Sequence, residues 1–421
     1  MTHLLLRAVR ALDPVSQMDR QSDVWINEGR IQAIAPQLDI PDNAVVCDRP
    51  GLVVGPGLID LYSQSGEPGY ETRETLNSLA DSAIAGGFSR LTLLPNTSPP
   101  IDTATTAEWI RSRLERYDGR LQVNLWGALT RQLKGQELSE FADLQPLVAG
   151  FSDGQPIDNL GLVQRALTYL APVQSPVGLW CCDRGLTYGG TVRDGMDAMR
   201  LGLPGNPAYS ESAAIAALLE CVAAQSTPVH LMRISTARSV ALIRDAKAAG
   251  LPVTASTTWM HLLFNTVDLG HYDPNLRLEP PLGTPDDQAT LQQAVKDGVI
   301  DAIAIDHTPH AYEDKTVPFS QAPPGAIGLQ FALPLLWQRF VSSGKWSALT
   351  LWSALSTNPA IALAQVPPQL TAGSPAEVTV FDPDAAWTVT TDTLQSRSHN
   401  TPWLGQSILG RVLPLPVILS G

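Results

Sequence analysis

The chain contains few cysteines. Its 421 residues contain four, Cys47, Cys181, Cys182 and Cys221. So few cysteines in this length argue against a disulfide framework and favour a reducing compartment. Cys181 and Cys182 are sequence neighbours, so on an extended strand they point to opposite faces and cannot chelate one ion together. We interpret them as small apolar fillers.

The chain also lacks long apolar runs and an excess of basic residues. No apolar stretch approaches the ~20 residues of a membrane span, and the first residues lack the pattern of a signal peptide. We therefore expect a cytoplasmic protein that is not in a membrane. Forty-one acidic against 28 basic residues give a net charge of −13, which disfavours nucleic acid and anionic membranes as partners.

Two common catalytic signatures are missing as well. The glycine pairs at 86–87 and 189–190 lack the strand–glycine–helix context of a nucleotide fingerprint. No serine or cysteine nucleophile with a partner in a recognisable motif is evident.

What is present is a substantial core, with 44% hydrophobic residues, and a clear change of pattern along the chain. Both ends are rich in short β-type runs, and Glu28-Gly29 is typical of a hairpin turn between two of them. The long middle alternates strands and helices. We predict an α/β protein: a (β/α)8 TIM-type barrel over 56–364, and a small β-sandwich module built from 1–55 and 365–421.

Individual elements can be placed from the same patterns. The predicted strands of the middle are 90–94, 121–129, 177–182, 229–234, 253–257 and 300–305, and the predicted helices include 105–116, 210–224, 236–249 and 285–297. Near the C-terminus we predict β segments at 376–381, 387–391 and 409–419, the first two separated by Asp382-Pro383. The barrel prediction puts a functional site at the C-terminal ends of the strands.

The most informative stretch follows an apolar run that ends at Ile59. Tyr62 and Gln64 stand at i and i+2, the spacing with which the end of a buried strand presents two side chains to one face. A His-x-His pair at this place would chelate zinc, whereas tyrosine and glutamine are poor ligands for it.

Several short segments, in order along nearly the whole chain, carry a resemblance to a known family. They are Gly57-Leu58-Ile59-Asp60, Glu67-Pro68-Gly69, Pro95-Asn96-Thr97, Phe151-Ser152-Asp153-Gly154, Ile234-Ser235-Thr236, Pro280-Pro281-Leu282, Asp306-His307-Thr308-Pro309-His310, Pro324-Gly325-Ala326 and Asn400-Thr401-Pro402. Together they resemble the dihydroorotase family of amidohydrolases. The resemblance implies an amidohydrolase-type barrel related to enzymes that hydrolyse the ring amide of dihydroorotate with a zinc centre, commonly binuclear.

The resemblance also implies which positions held the metal. The four family histidines fall on Tyr62, Gln64, Trp180 and Arg233, and the two family carboxylates match Asp153 and Asp306, the second being both ligand and proton shuttle. No histidine ligand therefore remains, and we predict no metal and no cofactor. Tyr62 and Trp180 are interpreted as filling the vacated volume.

The implied substrate contacts are mixed. Gly66 replaces the arginine that would clamp the substrate carboxylate, and Glu279 replaces an asparagine and would repel an anion. Asn96, His310 and the Pro324-Gly325 loop match the family. We expect His310 to face the old pocket and His307 to pack or bond locally.

Without zinc, little catalytic power remains. Zinc lowers the pKa of bound water from about 15.7 to about 7. A site without zinc forfeits this activation of the nucleophile, which is worth up to ~12 kcal/mol at ~1.36 kcal/mol per pKa unit. One general base contributes only ~10²–10⁴-fold. Asp306 is thus read as a relic of the general base. Arg233 is either incidental or a fixed positive charge that offsets the carboxylates, and we favour the latter.

The preferred interpretation is a catalytically inactive dihydroorotase-like protein of pyrimidine biosynthesis. Family members without the zinc histidines are known as structural partners of aspartate carbamoyltransferase, so its catalytic chain is the expected partner, and the resemblance also implies a homo-oligomer. The alternative is an active dihydroorotase or related cyclic amidohydrolase with an altered metal site, for which zinc would be required. A third possibility is a protein that binds a new small molecule in the pocket.

Overall fold

The structure is a computed structural model that describes residues 3–117, 119–225 and 227–413. Its strands are β1 His3–Asp13, β2 Met18–Asn27, β3 Arg30–Ala35, β4 Val45–Cys47, β5 Val53–Pro56, β6 Leu58–Ser63, β7 Phe88–Leu93, β8 Gln122–Gly127, β9 Gly150–Phe151, β10 Val177–Trp180, β11 Val192–Arg193, β12 Gly205–Asn206, β13 Val229–Met232, β14 Val253–Thr258, β15 Ala302–Ala304, β16 Val378–Thr388 and β17 Ser407–Val412. Its α-helices are α1 Leu76–Ala85, α2 Ala104–Leu114, α3 Phe141–Leu144, α4 Leu160–Leu170, α5 Met196–Leu201, α6 Tyr209–Ala223, α7 Ala237–Ala248, α8 Trp259–Leu263, α9 Pro285–Lys296, α10 Tyr312–Lys315, α11 Ala332–Leu336, α12 Ala348–Trp352 and α13 Asn358–Ala362.

Eight strands form a nearly closed parallel barrel in the order β6-β7-β8-β9-β10-β13-β14-β15. Every residue of β6 is buried, as expected for a strand covered on both faces. Hydrogen bonds bring the first and last strands together: Ile305 N–H donates to the Asp60 carboxylate at 2.9 Å, and Gln64 N–H donates to the His307 carbonyl at 2.8 Å. The predicted parallel barrel is confirmed.

The barrel helices begin where the sequence provides caps. Thr284 accepts a hydrogen bond from Asp287 N–H, Asp287 answers with its own side chain, and Pro285 occupies the first helical turn of α9. Thr236 caps α7 by accepting a hydrogen bond from Ser239 N–H at 3.2 Å. Gly250, with φ of +80°, follows the last turn of α7, as expected of a residue that ends a helix in the left-handed region.

Strands from both ends of the chain form a second, seven-stranded sheet. Its order is β17-β16-β5-β1-β2-β3, and β4 pairs with β1. The turn between β2 and β3 is the predicted Glu28-Gly29 hairpin, with φ of +50° and +72° at the two residues. These seven strands make one continuous sheet. The domain boundaries at 55 and 365 stay a prediction.

The C-terminal strands differ from the prediction in one respect. Asp382-Pro383 was expected to separate two strands, but β16 runs through it with a shift of register between Asp382 and Ala386. The shift accommodates a proline that has no N–H, and Asp382 caps the irregular turn by accepting hydrogen bonds from Asp384 and Ala385 N–H at 3.0 and 3.1 Å. Of the β segment predicted at 409–419, residues 409–412 lie in β17, and the part beyond 413 lies outside the described residues.

The sheet and the barrel are joined by polar as well as apolar contacts. Arg90 on β7 forms a two-pronged ion pair with Glu377, next to β16, at 2.7 and 2.8 Å. The indole N–H of Trp352 donates to the Pro56 carbonyl at 2.8 Å, where β5 passes into β6. These contacts fix the start of β6, the strand that carries Tyr62. Within the described ranges, no helix is long and apolar enough to cross a membrane.

Candidate functional site

A cavity of about 200 Å³ lies at the C-terminal ends of the barrel strands. The predicted site residues that line it are Gln64, Asn96, Asp153, Trp180, Arg233, Asp306, Pro324 and Gly325. Tyr62 and His310 are predicted site residues that do not line it. These lining residues come from the ends of several barrel strands and from the Pro324-Gly325 loop, which is why segments far apart in sequence converge here.

The central contact of the cavity is an ion pair between Arg233 and Asp306. Arg233 Nε donates to Asp306 Oδ2 at 2.8 Å and Nη2 donates to Oδ1 at 2.6 Å. The side chains are only 4% and 14% exposed. Burial acts to lower the pKa of Arg233, but the charge and hydrogen bonds of Asp306 outweigh it, and the pKa stays raised. The guanidinium is thus a permanent cation in the cavity wall.

The remaining faces of the guanidinium are also occupied. Nη1 donates to the Gly154 carbonyl at 2.9 Å. The guanidinium carbon lies 4.6 Å from the ring centre of Trp180 and 5.6 Å from that of Tyr62, within the range of cation–π attraction. Arg233 is therefore held from several sides.

Both partners of the pair have an unusual backbone. Arg233 has φ of +57° and Asp306 has φ of +51°, values that side-chain-bearing residues rarely adopt. Tyr62 satisfies both backbones: its hydroxyl accepts from Arg233 N–H at 3.0 Å, and its carbonyl accepts from Asp306 N–H at 3.2 Å. Tyr62 is therefore a support for the ion pair rather than a cavity residue.

Tyr62 also leads into a buried chain of hydroxyl and imidazole groups. Its hydroxyl lies 2.9 Å from Ser256 Oγ, which lies 2.8 Å from His230 Nε2. His230 Nδ1 lies 2.9 Å from Thr254 Oγ1. Burial lowers the pKa of His230 to about 3, so the ring is neutral and can accept on one nitrogen and donate from the other.

Asp153, the second carboxylate, has different partners. Its oxygens accept from the backbone N–H of Thr130 at 2.9 Å and from the Thr130 hydroxyl. Burial raises the pKa of Asp153 to about 6, against the opposing effect of these hydrogen bonds. The arginine hydrogen-bonds Asp306, whereas Asp153 is compensated by neutral donors.

The two histidines of the 306–310 segment turn away from the cavity. We expected His310 to face it; instead its Nε2 donates to the Pro324 carbonyl at 2.9 Å, behind the cavity wall. His307 is fully buried, with Nδ1 accepting from Gly328 N–H at 3.2 Å and Nε2 lying 3.3 Å from a Glu74 oxygen. Both bonds are buried and tie His307 to segments 21 and 233 residues away in sequence rather than to its immediate neighbours.

Sequence reasoning missed the contribution of α8. His261 is not among the predicted site residues, but it lines the cavity together with Trp259 and Met260. His261 Nδ1 lies 2.7 Å from Thr258 Oγ1, and Nε2 lies 3.2 Å from the Pro280 carbonyl. Burial lowers its pKa to about 4. The sequence signal was only that the helix directly follows a barrel strand.

The residues of this site do not fit zinc. Tyr62 and Trp180 stand at two of the family's ligand positions, Gln64 at a third, and Arg233 at the fourth offers only donors and no lone pair. Its guanidinium already holds both oxygens of Asp306, the carboxylate that would bind the metal. Across the ranges 3–117, 119–225 and 227–413, no group of three or more His, Cys, Asp or Glu side chains could hold a metal ion.

Comparison with known proteins gives the family. Residues 51–239 match the family described as "Dihydro-orotase-like". A protein named "Probable dihydroorotase-like protein" from Synechocystis sp. is 43% identical over 435 residues, covering 96% of this chain and 97% of its own. The chain belongs to the dihydroorotase-like family. A relative named "Dihydroorotase" from Pelotomaculum thermopropionicum is 35% identical over 420 residues, covering 99% of this chain and 97% of its own.

Solved structures extend this likeness to the fold. The L-hydantoinase of Arthrobacter aurescens superimposes with a TM-score of 0.83 at 19% identity, covering 99% of this dihydroorotase-like chain and 95% of its own. A D-hydantoinase gives a TM-score of 0.80 at 16% identity. At these identities the comparison shows the fold alone, and it confirms the predicted amidohydrolase-type barrel with a small sheet from the termini.

Proposed function

We propose that this dihydroorotase-like protein is catalytically inactive and acts as a structural partner of the aspartate carbamoyltransferase catalytic chain in pyrimidine biosynthesis. The observation that carries the first part is the two-pronged Arg233–Asp306 pair. Asp306 is the carboxylate that would take a proton in the family reaction, and here a buried cation engages both of its oxygens. The guanidinium therefore competes with any metal ion or substrate proton for the oxygens of Asp306.

The two positions that the resemblance matches to lost substrate contacts support the same proposal. Gly66 stands where the resemblance places the arginine that would clamp the substrate carboxylate. A Cβ at Gly66 would lie 2.3 Å from the Glu74 carbonyl oxygen and 2.6 Å from the Tyr70 carbonyl oxygen. A side chain at this position therefore requires the backbone to move. Glu279 adds a negative charge to the cavity lining, which disfavours an anionic ring such as dihydroorotate.

The partner is proposed from the resemblance to family members that lost the zinc histidines. An intact barrel with an altered site is what such a role requires, since only the surface takes part in assembly. The retained fold, with its packed core and satisfied buried carboxylates, supports a protein kept for its shape.

An active cyclic amidohydrolase is the second candidate, and Asp153 favours it. A carboxylate with a pKa of about 6 in the cavity wall is close to the value that suits a general base at neutral pH. Asn96 also lines the cavity, as in the family pattern.

Two assays separate these functions. Purified chain and the transferase catalytic chain from the same organism are mixed and analysed by size exclusion with light scattering; co-elution in a fixed ratio supports the partner role, and separate elution refutes it. Hydrolysis of dihydroorotate is measured with added zinc, with the Pelotomaculum relative as a positive control. Turnover above background that is lost in Asp153→Asn would support the enzyme instead.

A further inference from the structure

The cavity at the C-terminal ends of the barrel strands carries more negative than positive charge. Its described lining includes three carboxylates, Asp153, Glu279 and Asp306, and one basic side chain that stays charged, Arg233. His261 also lines the cavity, but burial lowers its pKa to about 4, so the ring is neutral at neutral pH. One guanidinium therefore stands against three carboxylates.

The charge of Arg233 is already engaged by one of these carboxylates. Both oxygens of Asp306 accept from the guanidinium, at 2.8 and 2.6 Å, and a further N–H donates to the Gly154 carbonyl at 2.9 Å. Among the ion pairs between described residues, none involves Asp153 or Glu279. These two carboxylates therefore line the cavity without a cation of their own.

The two unpaired carboxylates lie at different depths. Glu279 is exposed to solvent, so it marks the entrance of the cavity. Asp153 is only 2% exposed, and Thr130 donates one hydrogen bond to each of its oxygens, which leaves acceptor capacity on both. A buried carboxylate is unfavourable unless a cation or enough donors compensate it. Asp153 is thus the acceptor that gains most from a cationic ligand.

A buried acceptor in the same lining is independent of these charges. Asn96 lines the cavity, and within the described structure its Oδ1 is buried and has no hydrogen-bond partner. Buried side-chain oxygens in folded proteins ordinarily accept at least one hydrogen bond. The polar part of the lining therefore lacks donors, and a ligand that supplies donors fits it.

The remaining lining limits the size and the character of the ligand. The cavity volume of about 200 Å³ is below the ~300–1,000 Å³ of sites for drug-sized molecules, so the ligand is compact. Apolar surface comes from Trp259, Met260, Leu278, Ile305 and Ala326. Such surface suits a short hydrocarbon stem.

A primary ammonium group matches the polar requirement. It carries a positive charge and three N–H donors and has no acceptor. The lining offers it two carboxylates and the amide oxygen of Asn96, and a charge-assisted hydrogen bond is stronger than a neutral one.

We propose that this cavity binds a small organic cation, namely a protonated primary amine on a short apolar stem. The ammonium group donates to Asp153 and Asn96 and is attracted into the cavity by Glu279, while the stem lies against Trp259 and Met260. This binding requires neither turnover of dihydroorotate nor the transferase.

The first test is a calorimetric titration of the full chain with n-butylamine at about pH 7.5, where the amine is protonated. Butan-1-ol and pentanoate carry the same hydrocarbon stem with a neutral and an anionic head. We expect butylammonium to bind with a dissociation constant of about 0.1–10 mM, as suits so few heavy atoms. Both other probes should bind at least ~10-fold more weakly.

Variants locate the binding in the cavity. Asp153→Asn should raise the dissociation constant of butylammonium at least ~10-fold, because the charge-assisted bond is lost. Glu279→Gln, at an exposed position where the fold tolerates the change, should raise it about 3–5-fold. The matched control is Glu220→Gln on α6, an exposed glutamate outside the cavity lining, which should bind like wild type. Circular dichroism verifies the fold of each variant.

Two results would overturn the proposal. One is butylammonium binding no tighter than butan-1-ol or pentanoate, since charge would then not select the ligand. The other is an unchanged dissociation constant in folded Asp153→Asn and Glu279→Gln, since the amine would then bind elsewhere. Because these titrations contain neither dihydroorotate nor the transferase, their failure is distinct from failure of the proposed function.

Discussion

Arg233 and Asp306 face each other at the C-terminal end of the barrel, and the guanidinium holds both carboxylate oxygens at 2.8 and 2.6 Å. By the resemblance, these two positions are a histidine ligand and an aspartate ligand of the zinc centre of the family. Here a fixed organic cation takes the place of the metal charge, so Asp306 remains compensated while its two oxygens are no longer available as ligands. The proposed inactivity rests on this substitution of charge.

The ion pair should contribute to stability as a unit. In Arg233→Leu the buried Asp306 carboxylate loses its partner, and we expect the free energy of unfolding to fall by about 3–5 kcal/mol. Arg233→Leu/Asp306→Leu should recover most of that loss, because no uncompensated charge remains. Urea unfolding followed by circular dichroism measures both. Equal stabilities for Arg233→Leu and wild type would show that the pair is not formed in solution.

The Tyr62 hydroxyl should contribute to the stability of the folded protein. Tyr62→Phe keeps the packing but leaves the buried Arg233 N–H without its acceptor, at a cost of about 1–3 kcal/mol in the free energy of unfolding. The control is Tyr312→Phe, whose hydroxyl-bearing side chain is 78% exposed and should change stability little. If both variants unfold at the same urea concentration as wild type, the support role of Tyr62 is wrong.

Asp153 makes stability depend on pH. Burial raises its pKa to about 6 in the folded protein, above the ~3.9 expected when unfolded. The folded state thus binds the proton more tightly, so this carboxyl disfavours folding progressively as pH rises from about 4 to 6, by up to ~3 kcal/mol above that range. The Asp153→Asn variant should therefore gain stability relative to wild type between pH 4 and pH 7. A stability difference that does not vary with pH would contradict the raised pKa.

We expect tight zinc binding only in a variant that lacks the Arg233 guanidinium. We expect the variant Tyr62→His/Gln64→His/Trp180→His, which keeps Arg233, to bind little zinc, because Asp306 stays engaged. Adding Arg233→His supplies a further imidazole and frees Asp306, and near-stoichiometric zinc should then be found by mass spectrometry. Circular dichroism confirms folding of each variant. Tight zinc binding by the triple variant would show that Arg233 is no obstacle.

The fold was largely predictable because local patterns dictate it. Strand–helix alternation, the Thr284–Asp287 capping box and the Glu28-Gly29 hairpin all act over a few residues, and the structure contains each of them. Less predictable were elements that depend on their neighbours, such as the two-residue strand β9, which has too few residues to carry a period.

The sequence predicted most of the residues that form the site, but not the orientations of their backbones and side chains. The resemblance placed Arg233 and Asp306 at the C-terminal ends of barrel strands, but it could not give their positive φ angles or show that Tyr62 supports both. Tyr62 and Arg233 are 171 residues apart in sequence, so their hydrogen bond exists only in the folded barrel. For the same reason the turn of His310 toward the Pro324 carbonyl could not be read from the sequence.

The most direct test is a zinc titration of the purified wild-type chain with dihydroorotate as substrate, with bound metal measured by mass spectrometry on the same samples. The account predicts substoichiometric zinc and no rate of carbamoyl-aspartate formation that rises with it. A rate proportional to bound zinc, abolished by a chelator and restored by readdition, would contradict it.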